Sequence, residues 1–174
     1  MKFDDDKTNL NDNKVIKDLL GFTICKSIEE ISAKDWAIIT DLKLSETAKL
    51  DSKRGGLTLK SYLSFWPSKG HLFLIAKVDA SVVGFVEFVN VENVVSLLYI
   101  IVTPNYRRQR IATKMYRYLE NNIDKLVISG QSRQDDDYKL RIECYSLAGD
   151  LASKSLFESI GAKGGLIVMS KLLN

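Results

Sequence analysis

Residues 98–118, LYIIVTPNYRRQRIATKMYRY, decide the fold of this chain. An apolar, β-branched run stops at Pro104, a basic turn follows at residues 107–110, and a helical pattern begins at Ile111. The first turn of a helix has unpaired backbone N–H groups, and the helix dipole adds partial positive charge there. A strand that ends in a cationic turn and opens a helix is therefore typical of a pyrophosphate-binding site.

The basic side chains of this stretch are concentrated at the start of the predicted helix. They are Arg107, Arg108, Arg110, Lys114 and Arg117. Positive charge at a helix N-terminus is opposed by the dipole, whereas a helix face that is only solvated favours its cations at the other end. The arrangement indicates an anionic ligand, and a solvated helix face is the alternative interpretation.

Composition indicates an ordinary soluble domain. The chain has 174 residues, enough for one hydrophobic core, and a net charge of +3, too small to indicate nucleic-acid binding by itself. We expect a flexible polar lead-in over residues 1–20 and one domain over residues 21–174. Cys25 and Cys144 lie in apolar runs and are expected to be buried free thiols, with a disulfide as the alternative.

Neither a signal peptide nor a membrane span is expected in this sequence. The N-terminal MKFDDDKTNLNDNK has three early acids and no apolar core, unlike a signal peptide. No apolar run approaches the roughly 18 residues of a membrane span. We therefore expect a cytoplasmic protein with no membrane partner.

The hydrophobic periodicity alternates between strand and helix along the chain. Strands are predicted over residues 22–28, 71–78, 82–90, 94–103, 140–145 and 166–173. Helices are predicted from the capping box Ser32–Asp35, over 57–66, over 111–127, and from Asp150 to a stop at Gly161. This order favours an α/β fold in which helices cover both faces of a mixed sheet.

Three short segments resemble the GNAT superfamily of N-acetyltransferases. Arg107-Arg108-Gln109-Arg110-Ile111-Ala112 is similar to the family's phosphate-binding pattern [QR]-x-x-G-x-[GA], with Arg110 where the family usually has its first Gly. Val83-Gly84-Phe85-Val86 and the segment 156–162, LFESIGA, resemble two further family segments in the same order. The resemblance implies a single-domain GNAT fold, with a mixed, mostly antiparallel central sheet flanked by helices on both faces.

The resemblance also implies acetyl-CoA as the acetyl-donor substrate. It would bind where the strand 94–103 splays from the strand 140–145, with the pantetheine arm near Ile101, Val102 and Thr103. The pyrophosphate would meet the turn. The residues that the resemblance assigns to this turn and its neighbourhood are Arg107, Arg108, Gln109, Arg110, Ile111, Ala112, Thr113, Asp150 and Phe157. At Arg110 the side chain is expected to point outward or to reach the phosphates, and a weakened site is the alternative.

Acetyl transfer needs a base for the amine and an acid for the leaving thiolate. Glu143 and Glu87 are the two candidate bases, and each is equally suited to a surface ion pair. The resemblance implies a Tyr as acid at the position of Phe157, which has no proton to give. Tyr145 and water are the two candidate substitutes. His71, the only histidine, is expected to be structural, and no spacing predicts a metal site.

The resulting hypothesis is an N-acetyltransferase that moves an acetyl group from acetyl-CoA to a primary amine by direct attack in a ternary complex. A peptide or protein amine is the favoured acceptor, because residues 32–66 carry no acidic cluster suited to a polyamine. Two alternatives stay open: a non-catalytic acyl-CoA-binding protein on the same fold, and a toxin that acetylates aminoacyl-tRNA. A homodimer is compatible with the sequence, and no nucleic-acid partner is expected.

Overall fold

The computed structural model describes residues 19–51, 70–91, 94–123, 141–145, 151–164 and 168–172. The strands are β1 (Gly21–Cys25), β2 (His71–Val78), β3 (Ser81–Val91), β4 (Val94–Val102), β5 (Arg141–Tyr145), β6 (Lys163–Gly164) and β7 (Val168–Leu172). The helices are α1 (Ala33–Asp51), α2 (Ile111–Asn122) and α3 (Leu151–Ser159), with short 3-10 turns at Ile28–Glu30 and Pro104–Tyr106. The predicted helix 57–66, Asp150 and most of the lead-in lie outside the described residues.

The described strands form one mixed sheet in the order β1-β2-β3-β4-β5-β7-β6. Only β4 and β5 are parallel, and every other neighbouring pair is antiparallel. A parallel pair needs a crossover connection, and α2 lies between these two strands in the chain. The predicted mixed, mostly antiparallel sheet is confirmed.

Helices cover both faces of the sheet. On one face, α2 buries Ile111, Met115 and Leu119 against the apolar side chains that β2, β3 and β4 present there, and Phe157 of α3 joins the same cluster. On the other face, α1 buries Ile39 and packs Trp36 edge-on against Phe73, with ring centroids 5.5 Å apart. The predicted helices on both faces are therefore confirmed.

The start of α1 is capped by Ser32, which forms one half of the capping box that its sequence predicts. The backbone N–H of Asp35 donates to Oγ of Ser32 (3.2 Å), and the Ser32 hydroxyl donates to Oδ2 of Asp35 (2.7 Å). Nζ of Lys77 on β2 also reaches that oxygen, at 2.6 Å. Burial opposes ionisation of Asp35, but the bonds from Lys77 and Ser32 outweigh it and lower the pKa of the carboxyl.

Two β-bulges set which side chains share a face. In the β2–β3 pair, Ala76 lies opposite Gly84 but Lys77 lies opposite Val82, so Val83 is an extra residue. In the β3–β4 pair, Glu87 lies opposite Tyr99 but Phe88 lies opposite Leu97, so Leu98 is extra. Each extra residue shifts the register by one and bends its strand.

Element ends differ from the predictions in a few places. The first strand ends at Cys25 rather than at residue 28, because Ile28–Glu30 forms a 3-10 turn. Before the last strand, Lys163–Gly164 adds the short strand β6, which pairs with β7. The stop at Gly161 is confirmed: its φ of +86° lets the N–H groups of Gly161 and Ala162 bond back to the carbonyls of Glu158 and Phe157.

Candidate active site

Part of one edge of β4 has no partner strand among the described residues, and this part of the edge is called the opening below. Strands β4 and β5 pair from Val94 opposite Arg141 as far as Leu97 opposite Cys144. Beyond Leu97, β4 continues beside β3, and no described strand pairs with its other edge. The bulge at Leu98 lies where the pairing with β5 ends, and a bulge adds local twist to its strand. The predicted splay between these strands stays a prediction.

The backbone groups that face this opening belong to Ile100 and Val102. The N–H of Thr103 donates to the carbonyl of Val83 on β3 (2.9 Å), and the carbonyl of Ile101 also lies against β3, beside Gly84. Backbone polar groups of successive strand residues point to opposite edges. The groups turned to the opening are thus one residue away from Ile101 and Thr103, and the predicted pairing of a pantetheine arm with this strand stays a prediction.

Gly84 allows β3 and β4 to approach closely beside the opening. A Cβ atom at Gly84 would lie 2.8 Å from the carbonyl oxygen of Ile101 and 3.2 Å from Cε of Met115. Only a residue without a side chain fits such a backbone contact. This gives a physical reason for the glycine in the segment Val83–Val86.

The turn before α2 holds two arginines in the left-handed region of backbone conformation. Arg108 has φ of +63° and Arg110 has φ of +59°, whereas Gln109 between them has a negative φ. Alternation of this kind turns successive N–H groups into a concave surface that binds anions. Glycine adopts the conformation of Arg110 without a Cβ penalty, which explains in conformational terms why the related pattern has Gly there.

The first turn of α2 leaves backbone donors at its end. The first intrahelical bond runs from the N–H of Lys114 to the carbonyl of Arg110 (2.9 Å), and no side chain caps the helix. The N–H groups of Ile111, Ala112 and Thr113 precede that bond. The side chain of Ile111 is buried in the core, so this residue offers its backbone and not its side chain to a ligand.

One arginine of the turn contacts neighbouring elements, whereas the other two point into solvent. Nη2 of Arg107 pairs with Oε1 of Glu46 on α1 (2.8 Å), and its Nε donates to the carbonyl of Val102 (3.0 Å). Arg107 thus ties the turn to α1 and β4. Arg108 and Arg110 are exposed, and neither forms an ion pair within the described residues.

Gln109 is held within the turn. Its Nε2 donates to the carbonyl of Asn105 (3.4 Å), while its Oε1 is buried without a hydrogen-bond partner among the described residues. A buried acceptor of this kind is costly unless a further donor reaches it.

Glu87 lies in a cluster of polar side chains on the α1 face of β3. Its carboxylate is 2% exposed, and its oxygens contact Nζ of Lys43 and Nδ1 of His71, both at 2.6 Å. Nζ of Lys43 also lies over the ring of Tyr99, 4.6 Å from its centroid. The contacts of His71 and Lys43 with Glu87 were not predicted from the sequence.

Glu143 lies apart from Glu87. Ile142 and Cys144, on either side of Glu143, belong to the α2 cluster, and strand side chains alternate, so Glu143 points to the α1 face as Glu87 does. It lies on β5, two strands from β3, and so about 10 Å from Glu87 across the sheet. Its Oε1 pairs with Nη2 of Arg141 at 2.9 Å. Burial, aided by Glu143, raises the pKa of the Cys144 thiol to about 12.

The remaining predicted residues are placed as follows. Tyr145 is the last residue of β5 and lies opposite Val168 of β7. Phe157 is buried within the α2 cluster at 2% exposure, and its carbonyl accepts the bond from Ala162. Asp150 lies outside the described residues. The roles predicted for these three stay predictions.

Two further observations concern metal ligands and membrane-spanning helices among the described residues. Within those ranges, no three His, Cys, Asp or Glu side chains are grouped as metal ligands would be. In the same part of the chain, no helix combines the length and apolar character that a membrane crossing requires.

Solved acetyltransferases have a similar fold. A GNAT-family acetyltransferase from Staphylococcus aureus is 11% identical, with 88% of this chain and 100% of that chain covered and a TM-score of 0.59. PaiA N-acetyltransferase from Thermoplasma acidophilum, solved with coenzyme A, is 18% identical, with 88% and 99% covered and a TM-score of 0.60. The ribosomal-protein-S18-alanine N-acetyltransferase from Escherichia coli is 15% identical, with 88% and 95% covered and a TM-score of 0.56.

Likeness at these identities establishes the fold alone, and no curated protein matches the sequence. The family follows from the sequence itself. The model of the acetyltransferase (GNAT) family matches residues 25–126, from the end of β1 through α2 and past it. This match spans the bulged hairpin, the opening of β4 and the arginine turn, and the chain therefore belongs to the acetyltransferase (GNAT) family.

Proposed function

We propose that the protein transfers an acetyl group from acetyl-CoA to a primary amine by direct attack in a ternary complex. The observation that carries the proposal is the continuity of two features. The open edge of β4 leads, through the turn at residues 103–110, directly to the uncapped N-terminus of α2. An extended arm that ends in a pyrophosphate matches this path in both shape and charge.

Acetyl-CoA would bind along this path. The amides of the pantetheine arm would pair with the N–H and carbonyl groups at Ile100 and with the N–H of Val102, since the Val102 carbonyl already accepts a bond from Arg107. The pyrophosphate would meet the N–H groups at the start of α2, where the helix dipole favours negative charge. The exposed Arg108 and Arg110 would add charge to the same site.

The transfer has three chemical requirements. An acceptor amine with an ordinary pKa of about 10.4 must lose a proton, at a cost of about 4–5 kcal/mol near neutral pH unless a base assists. The thioester carbonyl must be polarised, and backbone N–H groups of β4 near the Leu98 bulge would do so. The leaving thiolate must be stabilised, and a thiol with an ordinary pKa of about 8.5 needs little help.

The predicted base and acid positions are retained in this proposal. Glu143 on β5 and Glu87 on β3 are the candidate bases, on the two strands that flank β4. Tyr145, at the end of β5, is the candidate proton donor to the thiolate, because Phe157 has no ionisable group and is buried in the core.

A peptide or protein amine is the proposed acceptor class. The related Escherichia coli enzyme bears the name of a ribosomal-protein alanine acetyltransferase, which is consistent with such an acceptor on this fold. No other described feature selects among amines, so the acceptor is best found by a panel: spermidine, a peptide with a free N-terminal alanine, and an N-blocked peptide with one lysine.

Calorimetric titration with acetyl-CoA and with CoA tests the donor site, on the native chain and on Arg110→Gly. We expect micromolar binding by both proteins.

Release of CoA thiol in the presence of each amine then tests transfer, and mass spectrometry identifies the acetylated product. Binding without transfer to any amine would favour a non-catalytic acyl-CoA-binding protein. Absence of binding by the native chain, restored by Arg110→Gly, would show that the donor site has been weakened by Arg110.

A further inference from the structure

The side chain of Arg107 joins three elements: the turn before α2, the helix α1 and the strand β4. Its Nη2 pairs with Oε1 of Glu46 on α1 at 2.8 Å, and its Nε donates to the carbonyl of Val102 on β4 at 3.0 Å. We propose that Arg107 is a positioning residue that holds the turn in its anion-binding shape through Glu46, and is not itself a ligand of the pyrophosphate. This inference rests on the proposed binding of acetyl-CoA.

The backbone of the turn adopts a conformation that needs support from outside. Arg108 and Arg110 both have positive φ, which is unfavourable for any residue with a Cβ atom. Such conformations persist where the surrounding structure holds them. Within the turn, the bond from Nε2 of Gln109 to the carbonyl of Asn105 is long, at 3.4 Å. The shorter contacts of Arg107 with α1 and β4 therefore anchor the residue directly before the two unfavourable positions.

The shape of the guanidinium explains how one side chain bonds to two elements. Its N–H groups point in fixed directions within one plane, so separate nitrogens can serve separate acceptors. Here Nη2 serves the carboxylate on α1, and Nε serves the carbonyl of Val102 on the edge of β4 that has the opening. Arg107 thus also occupies an acceptor that an extended ligand along β4 would otherwise use.

The three arginines of the turn differ in how their charge is balanced. Glu46 offsets the charge of Arg107, whereas Arg108 and Arg110 form no ion pair with any residue that the structure describes. A cation that is paired with a carboxylate attracts a further anion less than an unpaired cation does. Attraction of the pyrophosphate thus falls to Arg108, Arg110 and the N–H groups of α2, and positioning falls to Arg107.

Glu46→Met separates positioning from direct phosphate binding, because the two roles predict opposite changes. The variant removes a negative charge and releases the guanidinium, so an Arg107 that binds phosphate would bind CoA more tightly. An Arg107 that positions the turn loses its anchor, and the turn then has the binding shape for only a fraction of the time. The dissociation constant rises in inverse proportion to that fraction, and we expect calorimetry to give a Kd for CoA about three- to tenfold higher.

Arg107→Lys tests the same contacts from the other side. Lysine keeps the positive charge and binds phosphate as a point charge, but it has no planar fork with which to bond to both α1 and β4. Direct phosphate binding predicts a nearly native Kd for CoA, whereas positioning predicts the same rise of about three- to tenfold. KM for acetyl-CoA should rise in parallel and kcat should stay native. The double variant should bind CoA no more weakly than either single variant, because both changes break one contact.

Glu120→Met is the matched control. It removes the same charge from a second glutamate–arginine pair, formed with Arg117 of α2 at 2.6 Å. The two arginines are similarly exposed, 48% for Arg117 and 43% for Arg107, but Arg117 lies on the helix and not in the turn. We expect a Kd for CoA within about twofold of the native value. Urea unfolding midpoints should be alike for all variants, because exposed ion pairs contribute little to stability.

The outcomes separate this assignment from the proposed function. Native or tighter CoA binding by Glu46→Met, or native binding by Arg107→Lys, would overturn the positioning role while the proposed donor site stands. A rise in Kd of the same size in Glu120→Met would overturn it as well. If the native chain binds neither acetyl-CoA nor CoA, the proposed function itself fails, and this assignment fails with it.

Discussion

Arg110 shows how one residue can depart from a family pattern and keep its geometry. Its φ of +59° is a conformation that costs an ordinary L-residue about 1–2 kcal/mol. The exposed side chain leaves the backbone path of the turn intact. Arg in place of Gly therefore lowers the stability of the protein but does not change the shape of the turn.

Arg110→Gly should therefore stabilise the protein. Relief of the left-handed conformation exceeds the extra backbone entropy of glycine in the unfolded chain, and we expect a net gain of about 0.5–1 kcal/mol in the free energy of unfolding. Urea unfolding measures it. Arg117→Gly, on the exposed face of α2, is the matched control, and should lose about 1 kcal/mol because glycine weakens a helix interior. A loss of stability in Arg110→Gly would contradict the argument.

At the scale of elements, β3 and β4 can approach closely because Gly84 has no side chain. Gly84→Ala would place a methyl group 2.8 Å from the Ile101 carbonyl, and the backbone must move to admit it. We expect a loss of about 1–3 kcal/mol in stability and a higher KM for acetyl-CoA, since the displaced segment carries the open backbone groups of Ile100 and Val102.

Gly21→Ala provides the comparison for this prediction. A Cβ at Gly21 in β1 meets no atom within 4 Å, so the same substitution there should change stability by less than about 0.5 kcal/mol. Equal effects at the two glycines would show that the close contact at Gly84 is not what matters.

The element scale also shows what the sequence could and could not predict. Hydrophobic periodicity predicted most helices and strands with ends close to the observed ones, because each segment has a clear strand or helix pattern. It did not predict the bulge at Val83. Without that bulge, His71 would lie opposite Phe88, and a strand's side chains alternate in direction, so His71 and Glu87 would point to opposite faces. The cluster was invisible in the sequence for this reason.

The candidate site was also predictable only in part from the sequence. The arginine turn was predictable because its residues are contiguous and open a helix. Glu87 and Glu143 were predicted as single residues, but their partners depend on strand register and on the packing of α1, which bring Lys43 and His71 to Glu87 from distant parts of the chain.

At the scale of the whole molecule, the reactivity of the two cysteines indicates whether the core is folded. Cys25 and Cys144 are both buried free thiols, as predicted from the sequence. Burial raises the pKa of both, that of Cys144 to about 12. Thiolate is the reactive form, so neither should react with a thiol reagent until the protein unfolds.

The raised pKa of Cys144 also predicts a loss of stability in alkali. Between pH 9 and 12 the unfolded chain loses this proton while the native chain keeps it, so the free energy of unfolding falls as pH rises. We expect Cys144 to account for a loss of about 1.4 kcal/mol at pH 10 relative to pH 8. Urea unfolding at the two pH values measures the loss, and Cys144→Ala should show a smaller one. The same pH dependence in both proteins would exclude Cys144 as its source.

The open edge of β4 has a consequence for how the protein behaves in concentrated solution. A strand that lacks a neighbour presents unpaired amides to any other extended chain, and natural proteins protect such edges because they template self-association. Here the ligand itself would serve as the missing neighbour. We expect samples without CoA to aggregate sooner on storage and samples with CoA to stay monodisperse, so that a bound nucleotide would protect the sheet edge as well as take part in the proposed transfer.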